Sequence, residues 1–435
     1  LEAERIIINN STVKGRNISL FAEAFAGGIN PFAHVNTLID LDDATIEATG
    51  DLRLKTSSIQ EKPAVGDGIL AVKDTKAEVR VTNTGLSAGN DITITSLAKL
   101  ELDLNGFDSG LPIQCAVAAA NTLAQVLVDG SSILDAGGNI LLFAFSDVAL
   151  SSLAQPQDDV ESAAFAIAII TSSAESLLQG NAQAGADGKI TIKAQNSTMA
   201  NTVADAFAGG GNLGAAPSVA ISVVNSNTKA GIYGAASIIR SSEVEICAES
   251  RNNMQTVAQA AYGGASSPIK DTLAKTDEEG EPLISADLQN EICNLIDEML
   301  QAAEEPAEDP SGDPPGESGA AIQGAGAFAF GQVTNNTEAA INSTGQIKSS
   351  GLVELIAKAL VNATVLASGM TSGGDTGIGA GVAILIGVNN NKAYVGEGGY
   401  IEAGALKISA LSEDYDPADP EIGRASCRER VYACV

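Results

Sequence analysis

LDAGGNILL, residues Leu134 to Leu142, sets one apolar residue before a short turn of small residues and then resumes with apolar side chains. The pattern returns as VKGRNISL from Val13, IEATGDLRL from Ile46, LSAGNDITI from Leu86, AGADGKITI from Ala184, IRSSEVEI from Ile239, IKSSGLVEL from Ile347 and IEAGALKI from Ile401. Aligned on the first apolar residue after the turn, the copies superpose Ile18, Leu52, Ile92, Ile140, Ile190, Val244, Val353 and Leu406. By subtraction these are 34, 40, 48, 50, 54, 109 and 53 residues apart. The chain is therefore built from repeats of about 50 residues, and the longest step is one repeat plus an insertion.

A second element precedes the later copies: KDTKAEV around Ala77, ANTLAQV around Ala124, TSSAESL around Ala174, NSNTKAGI around Ala230, TNNTEAAI around Ala339 and NNNKAYV around Ala393. Its alanines step by 47, 50, 56, 109 and 54, in register with the first element. Upstream lie apolar runs such as AAFAIAII (Ala163 to Ile170), SVAISVV (Ser218 to Val224) and GVAILIGV (Gly381 to Val388). A third element, TVADAFAGGG from Thr202 and TVAQAAYGG from Thr256, leads into glycine-rich turns. Period-two alternation bounded by Gly, Asn and Asp, with β-branched residues at the alternating sites, reads as strands. Each unit becomes strand, turn, strand, turn, strand. Stacking in parallel lays like residues over like about 4.8 Å apart and buries each unit only against its neighbours. The expected fold is all-β, a parallel β-helix or β-solenoid, and the spacing leaves open whether one repeat is one large coil or two smaller ones. Asn225, Asn335 and Asn389 are expected at left-handed corners, and Cys115 and Cys247 as small core residues.

Composition agrees with stacked thin layers. Of 435 residues, 45% are hydrophobic but only 4% aromatic, with no Trp and 45 Gly, so the core must consist of Ala, Val, Ile and Leu. Twenty-four Lys and Arg against 54 Asp and Glu leave a formal charge of −30, which repels phosphate backbones, so nucleic acid is not an expected partner. The single histidine, His34, excludes a mechanism that needs two imidazoles and leaves Ser-His-Asp or Cys-His chemistry poorly provided for. His34 itself reads as a turn or core residue. Cys115, Cys247 and Cys293 are too far apart for a CxxC-type metal site. A helical reading of Leu352 to Ala367 rests on alanine's propensity but meets Gly, Asn and β-branched neighbours. Ser109 to Val128 is uncharged over about a membrane's thickness, yet Pro112, Asn121 and Gln125 interrupt it, so no transmembrane segment is expected.

The repeat divides the chain into less regular solenoid units over 1–64, regular ones over 65–266, an insertion over 267–317, further solenoid over 318–420 and a tail over 421–435. Ser267 to Glu317 holds 15 acidic and two basic residues. Ser285 can cap a helix running to about Glu305 with Leu288, Ile292, Leu295, Ile296 and Met299 on one stripe, before a linker with Pro306, Pro310, Pro314 and Pro315. The simplest reading of the insertion is a helix folded onto the solenoid flank with a solvated acidic loop; loops inserted into solenoids commonly carry contacts, which also makes this region the candidate binding region. Asp277, Glu278, Glu279 and Glu281 are weak calcium candidates that lack the spacing of an EF-hand loop. The tail EIGRASCRERVYACV, with Cys427 and Cys434, resembles the in-frame translation of a sequencing-library adapter and is read as foreign to the repeat. With Leu at position 1 and no signal-peptide pattern, the chain is read as an internal fragment of a longer protein.

Other motifs carry little chemistry. Gly377-Ile-Gly379-Ala-Gly381 lacks the full dinucleotide fingerprint and is read as glycine for a tight corner. Gly373-Gly374-Asp375 echoes a calcium-binding nonapeptide without its period. Asp40, Asp42 and Asp43 are the densest acidic group inside a repeat; a carboxylate pair there could serve glycoside hydrolysis or calcium, but a solvated strand edge is the simpler reading. No catalytic residue, metal or cofactor is expected.

The unit from Gly377 to Glu413, with its counterpart from Ser218 to Ser250, resembles the repeats of very large leukotoxin-like filamentous adhesins and related bacterial surface proteins. The resemblance covers about residues 65 to 415 outside the insertion and, more loosely, the first 64. It implies a right-handed β-helix, an extracellular or cell-surface rod that acts in attachment to a host or neighbouring cell, matrix or glycan. Two other readings are a polysaccharide-cleaving β-helix enzyme and the passive stalk of an exported toxin.

Overall fold

The computed structural model describes residues 2–27, 32–61, 70–106, 113–154, 163–208, 215–262, 322–371 and 376–412. Every regular element among them is a β-strand. After β1 (Glu2–Ala3), the first coil consists of β2 (Arg5–Asn9), β3 (Thr12–Gly15) and β4 (Ile18–Ala26). The second is β5 (Phe32–Asp42), β6 (Thr45–Ala48) and β7 (Leu52–Gln60), and the third β8 (Leu70–Thr82), β9 (Gly85–Ala88) and β10 (Ile92–Asn105). Then follow β11 (Ile113–Asp129), β12 (Ile133–Ala136) and β13 (Ile140–Ala154), and β14 (Ala163–Leu178), β15 (Gln183–Ala186) and β16 (Lys189–Ala208). The sixth coil is β17 (Ala215–Gly234), β18 (Ser237–Arg240) and β19 (Glu243–Tyr262), and the seventh β20 (Ile322–Ser343), β21 (Gln346–Lys348) and β22 (Leu352–Thr371). β23 (Thr376–Val395), β24 (Tyr400–Glu402) and β25 (Ala405–Leu411) make the eighth.

Like strands of successive coils pair in parallel, giving three sheets that each keep chain order. Sheet one runs from β2 to β23, sheet two from β3 to β24 and sheet three from β1 to β25. The fold is a parallel β-helix, and one repeat is one coil. The eight residues aligned from sequence lie on a single ladder of sheet three, Ile18 beside Leu52, Leu52 beside Ile92, and onward through Ile140, Ile190, Val244 and Val353 to Leu406. The first seven are at most 8% exposed, whereas Leu406, with no described coil beyond it, is 45% exposed. Leu352 to Ala367, where helix was the alternative, lies in β22, and β11 takes up most of Ser109 to Val128. Among the described residues no helix is long and apolar enough to cross a membrane.

The uneven period has a structural cause. Sheet-two strands keep three or four residues throughout, while sheet-three strands lengthen from nine residues in β4 to 20 in β16, and sheet-one strands from five in β2 to 20 in β17. The extra length forms a flange in which sheets one and three face each other alone. Two apolar cores result: one in the three-sided tube, containing Leu52, Ile92, Val126 and Ile190, and one in the flange, containing Ala118, Ala166, Leu150 and Ala204.

At the waist between these cores most of the long strands turn a polar residue inward, β22 with Ala359 being an exception. Thr122 Oγ1 donates to Ser172 Oγ at 2.9 Å, Ser172 Oγ to Asn196 Oδ1 at 2.6 Å, and Asn196 Nδ2 to Ser226 Oγ at 3.1 Å. Ser226 and Ser250 share a bond of 3.1 Å, Ser250 Oγ donates to Asn335 Oδ1 at 2.7 Å, and Asn335 Nδ2 to Asn389 Oδ1 at 2.8 Å. The wire crosses coils four to eight and satisfies groups whose desolvation would otherwise be costly. Asn225, Asn335 and Asn389 are thus strand residues, not corners, and Asn335 and Asn389 are links in this wire. Among the described residues, the non-glycine residues in the left-handed region are Asn10, Asp43 and Asn83.

Candidate functional site

Outward residues of successive coils stack into columns because side chains alternate across a strand. On sheet one a single column holds Glu78, Gln125, Glu175, Lys229, Glu338 and Lys392. Gln125 Nε2 donates to Glu175 Oε2 at 2.8 Å, Asn227 Nδ2 reaches Glu175 Oε1 at 3.1 Å, and Lys229 Nζ lies 4.0 Å from Glu338 Oε1. Two tyrosines close on the same carboxylate: the hydroxyl of Tyr233 donates to Glu338 Oε1 at 2.6 Å and that of Tyr394 at 3.2 Å. Lys229 Nζ sits 4.2 Å from the centre of the Tyr233 ring, within cation–π range. Burial, reinforced by the bond to Glu338, holds the Tyr233 hydroxyl far above the ordinary phenol range, and burial also raises Tyr394. Both phenols therefore stay protonated at neutral pH, and the cluster offers hydrogen bonds and ring surface rather than proton transfer.

The cluster went unnoticed in the sequence, although a signal was present. Lys229, Glu338 and Lys392 each precede the alanine of the second element, so alternating charge follows once the register is known. One alignment step needs correction. Ala174 pairs with Thr228 and Ala230 with Ser176, so this step is 54 residues rather than 56. A slip of two residues keeps every side chain on its face, and alternation cannot detect it.

Asp277, Glu278, Glu279 and Glu281, the whole candidate region Ser267 to Glu317, and Gly373-Gly374-Asp375 lie outside the described residues. Asp40 and Asp42 face outward on β5, Asp40 beside Arg80 of the next coil, and Asp43 follows in a left-handed bend at φ 49°. His34 is neither turn nor core: it is exposed on the outer face of β5, with Nδ1 3.6 Å from Asp74 Oδ2. Cys115 and Cys247 also leave the core, because strand parity turns both outward. Cys247 is buried on the outer face between its register neighbours Lys193 and Ile356, and burial pushes its thiol up to about 11. A thiol so disfavoured as thiolate is a poor nucleophile. Gly379 and Gly381 make no corner; they lie inside β23, and a Cβ on Gly381 would stand 2.6 Å from the Ala367 carbonyl oxygen. Glycine there lets the two flange sheets approach. Among the described residues no three His, Cys, Asp or Glu side chains gather closely enough to hold a metal ion.

Among the described residues, fold and surface together define eight coils of a flanged parallel β-helix with an outer column that alternates in charge from Glu175 to Lys392. The chain matches no protein-family model, and no curated protein or solved structure matches it significantly.

Proposed function

We propose that this chain is a structural and binding segment of a large secreted or cell-surface adhesin, with attachment as its role. The observation that carries the reading is the unbroken succession of eight coils in three sheets, an architecture that offers reach and repeated flat surface. The outer column around Glu338 supplies hydrogen-bond donors, acceptors and aromatic rings of the kind that contact polar surfaces. The test is direct binding of the purified chain to cells, matrix proteins and a glycan array, beside variants carrying Tyr233→Ala and Tyr394→Ala. Saturable binding, weakened in the variants, is expected. Absence of binding on every surface would remove the reading, and release of reducing or unsaturated sugars from polysaccharides would replace it with the enzymatic one.

A further inference from the structure

In the flange, sheet one carries its larger apolar side chains on the outside. On β14, β17 and β20 an inward column is Ala166, Ala220 and Ala329, each 0% exposed, while the next column, Ile167, Ile221, Phe330 and Ile384, faces out. The outward columns on either side of that one begin at Phe165 and Ile169, and across coils five to eight their single polar residue is Gln332. Ile169, Ile384 and Ile386 are 40%, 41% and 44% exposed. Three neighbouring columns over four strands therefore form one apolar face without a charge. Parallel sheets ordinarily have both faces covered, and apolar patches of this extent mark contact surfaces. Further along the same strands come two columns of Ser, Thr, Asn and Val, beginning at Thr171 and Ser173, and then the column Glu175, Lys229, Glu338 and Lys392.

We infer that this face is a two-fold interface between two copies of the chain, with the axis parallel to the strands and passing between coils six and seven. Such an axis keeps each position along a strand and reverses the order of the coils, so coil five meets coil eight of the second copy and coil six meets coil seven. Apolar columns then lie on apolar columns, with the strands of the two sheets nearly aligned as in a sandwich. In the charged column Glu175 meets Lys392 and Lys229 meets Glu338, so every facing pair is of opposite sign. An axis along the rod would lay apolar columns on polar ones, and an axis through a coil would set Glu175 against Glu338 or Lys229 against Lys392. An axis between coils five and six would bring in coil three, whose Asp74 and Lys76 occupy the two intervening columns that coils five to eight leave uncharged. The face holds two Glu and two Lys, so a chain of formal charge −30 presents a locally neutral surface to its copy. From Phe165 to Glu175 and across four strands it measures about 33 Å by about 19 Å, roughly 600 Å² on each copy and about 1,200 Å² for the pair, enough for a specific dimer. The inference is independent of the attachment reading: Tyr394 and Tyr233 lie one and two columns beyond Glu338, at the rim of the pair.

Sedimentation velocity on the full chain across the micromolar range should show a dimer. Ile167→Lys with Ile221→Lys, both remote from the β23 edge, should leave a monomer with unchanged circular dichroism. Crosslinking fixes the register. With the five native cysteines replaced, a chain carrying Thr171→Cys and Val388→Cys should be joined by a short bis-maleimide into a covalent dimer at least ten-fold faster than a chain carrying either cysteine alone. The two positions share a column three coils apart, about 14 Å within one chain, and face each other only across the proposed axis. Should the lysine variants fail to fold, the charged column decides: Lys229→Glu with Lys392→Glu should be monomeric, as should Glu175→Lys with Glu338→Lys, and an equimolar mixture should restore the dimer. A monomeric native chain, a dimer that survives Ile167→Lys with Ile221→Lys, a mixture that does not pair, or equally fast linkage through Val388→Cys alone would each overturn the inference, the last by placing the contact at the β23 edge. A native monomer retained on phosphatidylcholine vesicles would overturn it too, by assigning the face to lipid.

Discussion

Asn196 sits at the waist where tube and flange meet. It accepts from Ser172 Oγ at 2.6 Å and donates to the Ser172 carbonyl at 3.1 Å, to Ser226 Oγ at 3.1 Å and to the Asn227 carbonyl at 3.3 Å. Asn196→Leu leaves buried partners unmet and is expected to cost about 1–3 kcal/mol or more, read as a lower urea midpoint. Asp205 makes the opposite case. Its carboxyl titrates at about 7 in the folded chain against an ordinary 3.8, so the folded state holds its proton more tightly than the unfolded state. The stability this group permits is complete below about pH 4 and is lost as pH rises toward 7. Asp205→Asn is therefore expected to raise stability at pH 8 by on the order of 2–4 kcal/mol and to change little at pH 4, measured by paired melts. Neither role was legible in the sequence. Asn196 lies in a strand whose neighbours looked merely polar, and alternation assigns Asp205 to solvent because it cannot register what lies over a face.

At the scale of the element, the strands were readable because inward Val, Ile, Leu and Ala alternate with polar residues; β13, fully alternating along its length, is the clearest. The sheet-three register was readable because each short turn anchors an apolar residue immediately after it, as in Gly138-Asn139-Ile140. Sheet one has no such anchor near Ala174, and there the alignment slipped. The flange was not legible as a separate layer, since its alanines and glycines look like any small-residue run until the facing sheet is known. Gly381→Val is expected to force β22 and β23 apart and to cost about 1–3 kcal/mol. Gly326→Ser, on the outer face of the same flange with open space around it, should unfold at the unaltered midpoint.

For the molecule as a whole, stability is a sum over neighbouring coils, and the end coils decide solubility. β23 has no described strand on its far side, no charged residue from Thr376 to Asn391, and exposed Val382, Ile384, Leu385 and Ile386. Such an edge is a template for pairing. The chain is expected to self-associate at high concentration, and Ile384→Lys with Ile386→Lys should return it to monomer in sedimentation velocity; an unchanged profile would show that the edge is not the contact. The lengthening of sheets one and three toward that end also gives the rod a mechanical direction. A pull along its axis loads the hydrogen bonds between coils side by side, so the broad coils, with strands of 20 residues, share tension among many bonds, while β2, β3 and β4 share it among few. Under axial force the interface between coils one and two should part first, and that joining coils six and seven, where both long sheets carry strands of 20 residues or more, should yield last.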